Sequence, residues 1–143
     1  MANVAEVKRM YDLCLGFEER CKRLREGRAD FRDLCSREYY HMFTVLECLV
    51  SIKQDLRTLD GSPHTKVINA VESLWGDKYV ELIGFSDLGD TNKQLRMWAD
   101  YSTGRFYRDN TDIVEIRKIY KEMVSQTKRL KKILDVEMEM VVW

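Results

Sequence analysis

Apolar residues fall at Val7, Met10, Cys14, Phe17, Cys21 and Leu24. Steps of three and four lay them along one stripe, which predicts a first helix from about residue 3 to about residue 26. Glu18, Glu19, Arg20, Lys22 and Arg23 form its solvent face, and Gly27 is placed to end it. The stretch from Tyr39 to Ile52 differs in kind. Tyr39, Tyr40, Met42, Phe43, Val45, Leu46, Leu49, Val50 and Ile52 cover most of a helix circumference. That predicts a central helix surrounded by others, starting after Asp30 and running to about Leu59. Thr44, Glu47 and Ser51 share its polar stripe. This stripe is read as facing solvent, in preference to a polar subunit contact, because a buried glutamate without a partner is costly.

Asp60-Gly61-Ser62-Pro63 is a concentrated turn signal, and its proline suits the first turn of a helix over residues 63–75. Val67, Val71, Leu74 and Trp75 would form the buried side, with Gly76 as terminator. Between Asp77 and Asp90, Tyr79, Val80, Leu82, Ile83 and Phe85 predict a connection packed onto the other elements. A fourth helix capped by Asp90 or Thr91 would carry Leu95 to Tyr101 and end near Ser102 or Gly104. A last helix starts at Thr111-Asp112, where Asp112 and Glu115 have capping-box spacing. Its stripe is Ile113, Ile116, Tyr120, Met123, Thr127, Leu130 and Leu134, and it extends to about residue 136. Beyond it Val136, Met138, Met140 and Val142 alternate with Glu137, Glu139 and Val141, the pattern of a strand-like tail, a frayed helix end or a sticky partner contact. The sum is an all-α bundle of about five helices with an up-down core of four, in one domain spanning 1–143 with 136–143 as an apolar tail.

Composition and charge narrow the function. The chain has 143 residues, enough for one core, with 24 Lys and Arg balancing 24 Asp and Glu. A neutral molecule offers no strong field to draw in a polyanion, which argues against bulk nonspecific nucleic-acid binding. Lys128, Arg129, Lys131 and Lys132 form a local basic cluster, read as the solvated cationic end of a helix. The opening MANVAEVKRM reaches charge at once and holds no long apolar run, so a cytoplasmic protein without a membrane segment is expected. Cys14, Cys21, Cys35 and Cys48 match no zinc spacing and are read as buried, reduced thiols. His41, in the apolar central helix, is read as a partly buried histidine with its hydrogen bonds satisfied. No metal or other cofactor is expected, and there is no phosphate-cradling glycine loop or Gly-x-Ser-x-Gly.

Candidate chemistry gathers at Leu95-Arg96-Met97-Trp98-Ala99-Asp100-Tyr101 and the following Arg105, Phe106, Tyr107 and Arg108. Arg96 is a permanent cation able to hold a phosphate with two parallel hydrogen bonds. Asp100 is placed to orient Arg96 or Tyr101, or to act as a base, and Tyr101 can donate a hydrogen bond. Arg105, Tyr107 and Arg108 could extend a cleft that binds phosphate and stacks a base. A purely structural reading competes: Arg96 and Asp100 as a surface pair, and Trp98 and Tyr101 as core.

The order of these pieces resembles the HEPN superfamily, in particular the small prokaryotic proteins often found beside nucleotidyltransferases. Glu38-Tyr39-Tyr40-His41-Met42-Phe43 is similar to the Tyr-Tyr-Ala-Met-Phe-like opening of that group's second helix. Ser62-Pro63-His64-Thr65-Lys66-Val67 resembles its Ser-x-His-x-Gly, with Lys66 in place of the glycine, and Leu95 to Tyr101 its Arg-x-x-Ala-Asp-Tyr. The resemblance covers roughly residues 30 to 135. It implies a homodimer in which two copies of the fourth helix share a cleft. It also implies a toxin-antitoxin or defence setting, with RNA or a nucleotidyltransferase as partner. Many such proteins are metal-independent ribonucleases with the pattern Arg, a polar residue, three positions, then His; here Met97 and Tyr101 stand at the polar and histidine positions. A degenerate ribonuclease, with Arg96, Asp100 and Tyr101 in the catalytic places, is therefore one expectation, and a non-catalytic interaction module is the other. Arg57 and His64 share the catalytic spacing but flank a turn, and are read as coincidence.

Overall fold

A computed structural model of the chain describes residues 2–101 and 110–141, and among them every regular element is helical. Helix α1, Val4–Glu26, starts where the Asn3 side chain accepts the Glu6 N–H at 2.8 Å and ends where the Gly27 N–H reaches the Arg23 carbonyl. Helix α2, Phe31–Lys53, is capped by Asp30, whose carboxylate accepts the Arg32 N–H. It stops six residues short of the expected Leu59. Asp55 opens a separate 3-10 turn, Leu56–Thr58, by accepting the Arg57 N–H, and it also holds the Arg57 guanidinium at 2.7 Å. Local side-chain capping diverts the backbone there, as Asp does wherever it can bond its own chain two residues on.

Helix α3 runs Pro63–Trp75, with proline in its first turn as expected. The connection that follows contains a 3-10 turn, Val80–Leu82. It packs only in part: Leu82 is buried and Tyr79 half-buried, whereas Val80 and Ile83 lie 73% and 62% exposed. Lys78 and Tyr79 fasten this connection to the distal end of the last helix through Glu137. Helix α4 is Phe85–Tyr101, several residues longer at its start than the Asp90 or Thr91 cap predicts. Gly84, at φ +80, turns the chain, and Phe85, the first residue of the helix, then sinks fully into the core. Thr91 lies inside the helix, its hydroxyl donating to the Asp87 carbonyl.

Helix α5, Asn110–Met140, continues past residue 136, so the alternating tail from Val136 to Met140 is helical. Glu137 and Met138 are buried there, and Val136 and Met140 are exposed. The basic cluster is thus neither at a helix end nor wholly solvated. Lys131 is buried and bonded to Asp135 at 2.8 Å, while Lys128, Arg129 and Lys132 are exposed.

Helix α2 packs against α1, α3, α4 and α5 and lies at the centre of the core with Tyr39, Met42, Val45, Leu46, Leu49 and Val50. Thr44 and Ser51 are buried, which corrects the expected solvent stripe. Their hydroxyls donate to their own helix, to the His41 carbonyl at 2.8 Å and the Cys48 carbonyl at 2.7 Å, so short polar side chains enter the core with their bonds made locally. Glu47 is half-buried, and burial raises its pKa. The four cysteines are buried and free, as expected.

Two glycines test this packing with opposite signs. A Cβ on Gly89, within α4, would meet Ile68 Cγ2 of α3 at 2.5 Å, and Ile68 is fully buried with little room to yield. A Cβ on Gly16, within α1, meets nothing within 4 Å. Gly16→Ala should raise stability by about 1 kcal/mol through helix propensity, whereas Gly89→Ala should lower it by about 1–3 kcal/mol through overpacking. Urea denaturation of both variants checks this; a stabilised Gly89→Ala would mean that α3 and α4 are not closely packed there.

Candidate functional site

The cluster that forms around Arg96 draws on three helices. Leu95 and Ala99 anchor one side of α4 in the core, Trp98 packs half-buried beside them, and this turns Arg96 toward α2. Its guanidinium carbon lies 5.7 Å from the Tyr39 ring centroid and 5.8 Å from that of Tyr40, and its side chain is 11% exposed. Asp100, one turn on, accepts from Nη1 at 3.4 Å, so the expected Arg96–Asp100 pair is present. Burial opposes the arginine's charge. The field of Tyr40 and the bond and charge of Asp100 more than offset it, leaving the pKa above its ordinary value. The cation is therefore held against two aromatic faces, an arrangement worth about 0.5–2 kcal/mol, and bonded to Asp100.

The second component is His64, from the first turn of α3. Its Nδ1 lies 2.6 Å from the Tyr39 hydroxyl, and its ring stacks on Phe43 with centroids 4.3 Å apart and on Tyr39 at 5.6 Å. Burial, then the charges of Arg96 and Lys93, hold its pKa below the ordinary 6.5, so near neutral pH it is an uncharged imidazole. Burial above all keeps the Tyr39 phenol protonated, its pKa raised well beyond the usual range. The Tyr39–His64 bond therefore joins two neutral groups, and its direction sets the tautomer. If Tyr39 donates, His64 Nε2 bears a proton it can give; if Nδ1–H donates to the phenol oxygen, Nε2 is free to accept one. Lys93 extends to the Thr65 hydroxyl at 3.2 Å, adding a second cation near His64.

Beyond Phe43 a groove of about 210 Å³ is lined by Phe43, Glu47, Leu56, Arg57, Pro63 and Lys66. Arg57 there is exposed and tied to Asp55, away from the Arg96 cluster. At the opposite margin Arg32 Nε donates to the Ala99 carbonyl at 2.7 Å, fastening the last turn of α4 to the first turn of α2.

Of the residues singled out in the sequence, Arg96 and Asp100 are brought together. Tyr101 closes α4, but its side chain lies outside the described residues, as do Arg105, Tyr107 and Arg108 entirely. Sequence reasoning quoted Tyr39 and His64 in pieces of the resemblance without giving them a role in the site, and passed over Lys93 and Arg32. The signal for His64 was present in Ser62-Pro63-His64, because a residue in the first turn of a helix that packs on α2 is poised to meet the Tyr39-Tyr40 pair. His41 also departs from expectation. It is 5% exposed, yet neither ring nitrogen has a hydrogen-bond partner.

Compared with protein-family models, with curated proteins and with solved structures, the chain finds no match in any of the three. Among the described residues no helix is long and apolar enough to cross a membrane.

The depressed His64 pKa has a thermodynamic signature. Below 6.5 the unfolded chain binds a proton at this position that the folded chain resists, so the histidine's cost to folding is absent above 6.5 and grows as pH falls through 6.5 toward the folded pKa. Denaturant unfolding at two pH values on either side of that window should show wild type losing more stability on acidification than His64→Gln. Glu47 and the other titrating groups are common to both proteins and cancel in the comparison. Equal losses would rule out a depressed His64 pKa.

Proposed function

We propose that the chain is a HEPN-like helical protein that binds RNA at the Arg96–His64 cluster and acts there on a phosphodiester, in a prokaryotic toxin-antitoxin or defence setting. The observation that carries this reading is the convergence of a nearly buried arginine and a neutral histidine on one tyrosine, Tyr39. The three sequence pieces of the resemblance supply those residues from α2, α3 and α4 respectively. The histidine function that the resemblance places at position 101 is taken in this reading by His64, from a different helix.

The chemistry follows from the groups. Metal-independent RNA cleavage forms a bond from the 2'-oxygen to phosphorus and breaks the bond to the 5'-oxygen. It needs a group to take one proton, a group to give one, and a cation for the charge on the non-bridging oxygens. Arg96, with Asp100 fixing one edge of its guanidinium, supplies the cation. His64 Nε2 is the proton-transfer atom, since Nδ1 is held by Tyr39. Lys93 adds a phosphate contact. In this reading two copies meet through α4, where Met97, next to Arg96, is 40% exposed, and the Arg96 clusters line the shared cleft.

A second reading, a non-catalytic module that docks a nucleotidyltransferase or another protein, draws on the exposed Val136 and Met140 at the end of α5. The two readings separate cleanly. Arg96→Ala removes hydrogen bonds to a charged group worth about 1.5–3 kcal/mol each, so RNA affinity should fall at least about tenfold. Arg96→Lys should restore only part of it, because an ammonium cannot reproduce the planar two-point grip. His64→Gln should keep binding and lose cleavage. Fluorescence-anisotropy titration with single-stranded RNA, product analysis on gels and light-scattering mass measurement provide the readouts. RNA binding unaffected by Arg96→Ala would sink the first reading, and retained pull-down of a protein partner by that variant, lost in Val136→Asp, would support the second.

A further inference from the structure

On the face of α2 turned toward α1, Cys21, Glu38 and His41 bring one ligand atom each to within 4.8 Å of one another, and all three residues are buried. Glu38 and His41 are three apart on α2 and therefore project to one side, where α1 presents Cys21. Thiol, carboxylate and imidazole together are the donor set of a zinc-class ion. Such a set alone could be ordinary packing. The second, independent observation is His41 itself: its side chain is 6% exposed, and both of its ring nitrogens lack a hydrogen-bond partner. The carboxylate oxygens that approach it are Glu38 Oε1 at 3.6 Å from Nδ1 and Glu18 Oε2 at 3.9 Å from Nε2, both too long for hydrogen bonds. Buried polar atoms in folded proteins are nearly always bonded, so an imidazole left this way calls for a missing partner.

We propose that Cys21, Glu38 and His41 form a binding site for a zinc-class divalent cation that staples α1 to α2. Cys21 Sγ, Glu38 Oε1 and His41 Nδ1 are the ligands. Glu38 Oε2 stays with Arg25 Nη1, 2.8 Å away, which orients the carboxylate. With Nδ1 on the metal, Nε2 carries the proton and points to Glu18, the usual arrangement in which a ligating histidine donates its other N–H to a carboxylate. Neighbouring ligand atoms around tetrahedral zinc lie about 3.3–3.7 Å apart, given bonds of about 2.0–2.3 Å, so the cluster needs to close by about 1 Å. Binding displaces the thiol proton to solvent and leaves the imidazole neutral. The fourth position falls to water, reached beside Glu18, whose side chain is 44% exposed. Lys131, 3.5 Å from Glu18, is the nearby cation on α5 and neutralises that carboxylate without entering the ligand set.

The site lies on the same turn of α2 that bears Tyr39 and Tyr40 but faces the other way, so it is structural and independent of the RNA reading. Its test involves no RNA. The full chain is dialysed against zinc, passed over a chelating resin, and its metal content measured. One zinc per chain is expected, with X-ray absorption at the zinc edge showing a single sulfur scatterer among nitrogen and oxygen. Cobalt(II) in place of zinc should give a thiolate-to-cobalt charge-transfer band. Cys21→Ser should abolish the band, and His41→Gln should weaken zinc affinity at least about tenfold, with helicity followed by circular dichroism. Absence of retained zinc, zinc without a sulfur neighbour, or a cobalt band that persists in Cys21→Ser would overturn the proposal. The absorption measurement on wild type decides even where a variant does not fold.

Discussion

The burial of α2 is the constraint on which the rest of the structure depends. A helix apolar around most of its circumference must be covered on every side, and α1, α3, α4 and α5 all pack on it. Once covered, a polar atom it carries loses water and is costly unless it finds a partner inside the protein, a demand that the His41 ring nitrogens leave unmet. Thr44 and Ser51 meet that demand within their own helix. Glu38 meets it through Arg25 across the α1–α2 turn, and Tyr39 through His64 on α3. Trp75 completes the list from the other side, its indole N–H donating to the Leu49 carbonyl at 2.8 Å while Lys53 covers the ring face. The polar chemistry of the molecule is thus a by-product of enclosing one helix, and it concentrates where the enclosure is densest.

That logic accounts for what could be read in the sequence. Three-four periodicity reports which face of a helix is apolar, and it located α1, α2, α3 and α5 because their stripes are long and regular. It does not report where a helix stops when a side chain captures the backbone, as Asp55 does, or where one starts on a buried ring, as at Phe85. Gly84 and Gly89 both fall in the stretch 77–90 that the sequence predicts as a packed connection. One provides the positive-φ turn before α4, and the other lies inside α4, where only a hydrogen fits against Ile68. Arg96 and Asp100 were legible because they sit one turn apart on a single helix. His64 was legible as part of Ser62-Pro63-His64, but its partnership with Arg96 was not, because that relation runs through a third element and sequence separation carries no information about which faces α3 and α4 turn toward Tyr39.

The two tyrosines on α2 define what the cluster can do. An arginine opposed by several carboxylates has its donors spent, whereas one laid against aromatic rings keeps in-plane N–H groups directed outward. Arg96 is laid against the Tyr39 and Tyr40 rings and donates from Nη1 to Asp100. Arg32 adds to this by tying the Ala99 carbonyl, so the turn bearing Arg96 and Asp100 cannot swing away from α2 without breaking a charge-assisted bond.

His64 completes the electrostatic argument. A histidine beside two cations would ordinarily be repelled from the charged form, and burial pushes in the same direction, so the imidazole stays neutral while the positive charge resides on Arg96 and Lys93. Separating the roles in this way lets one surface present a fixed positive potential and a group able to exchange a proton near neutral pH, which a lone arginine or a lone histidine cannot do. Tyr39 makes the separation possible, since its phenol holds Nδ1 and its ring sits beneath the guanidinium. The arrangement therefore depends less on any signature in α4 than on the residue at the start of the central helix that both partners touch.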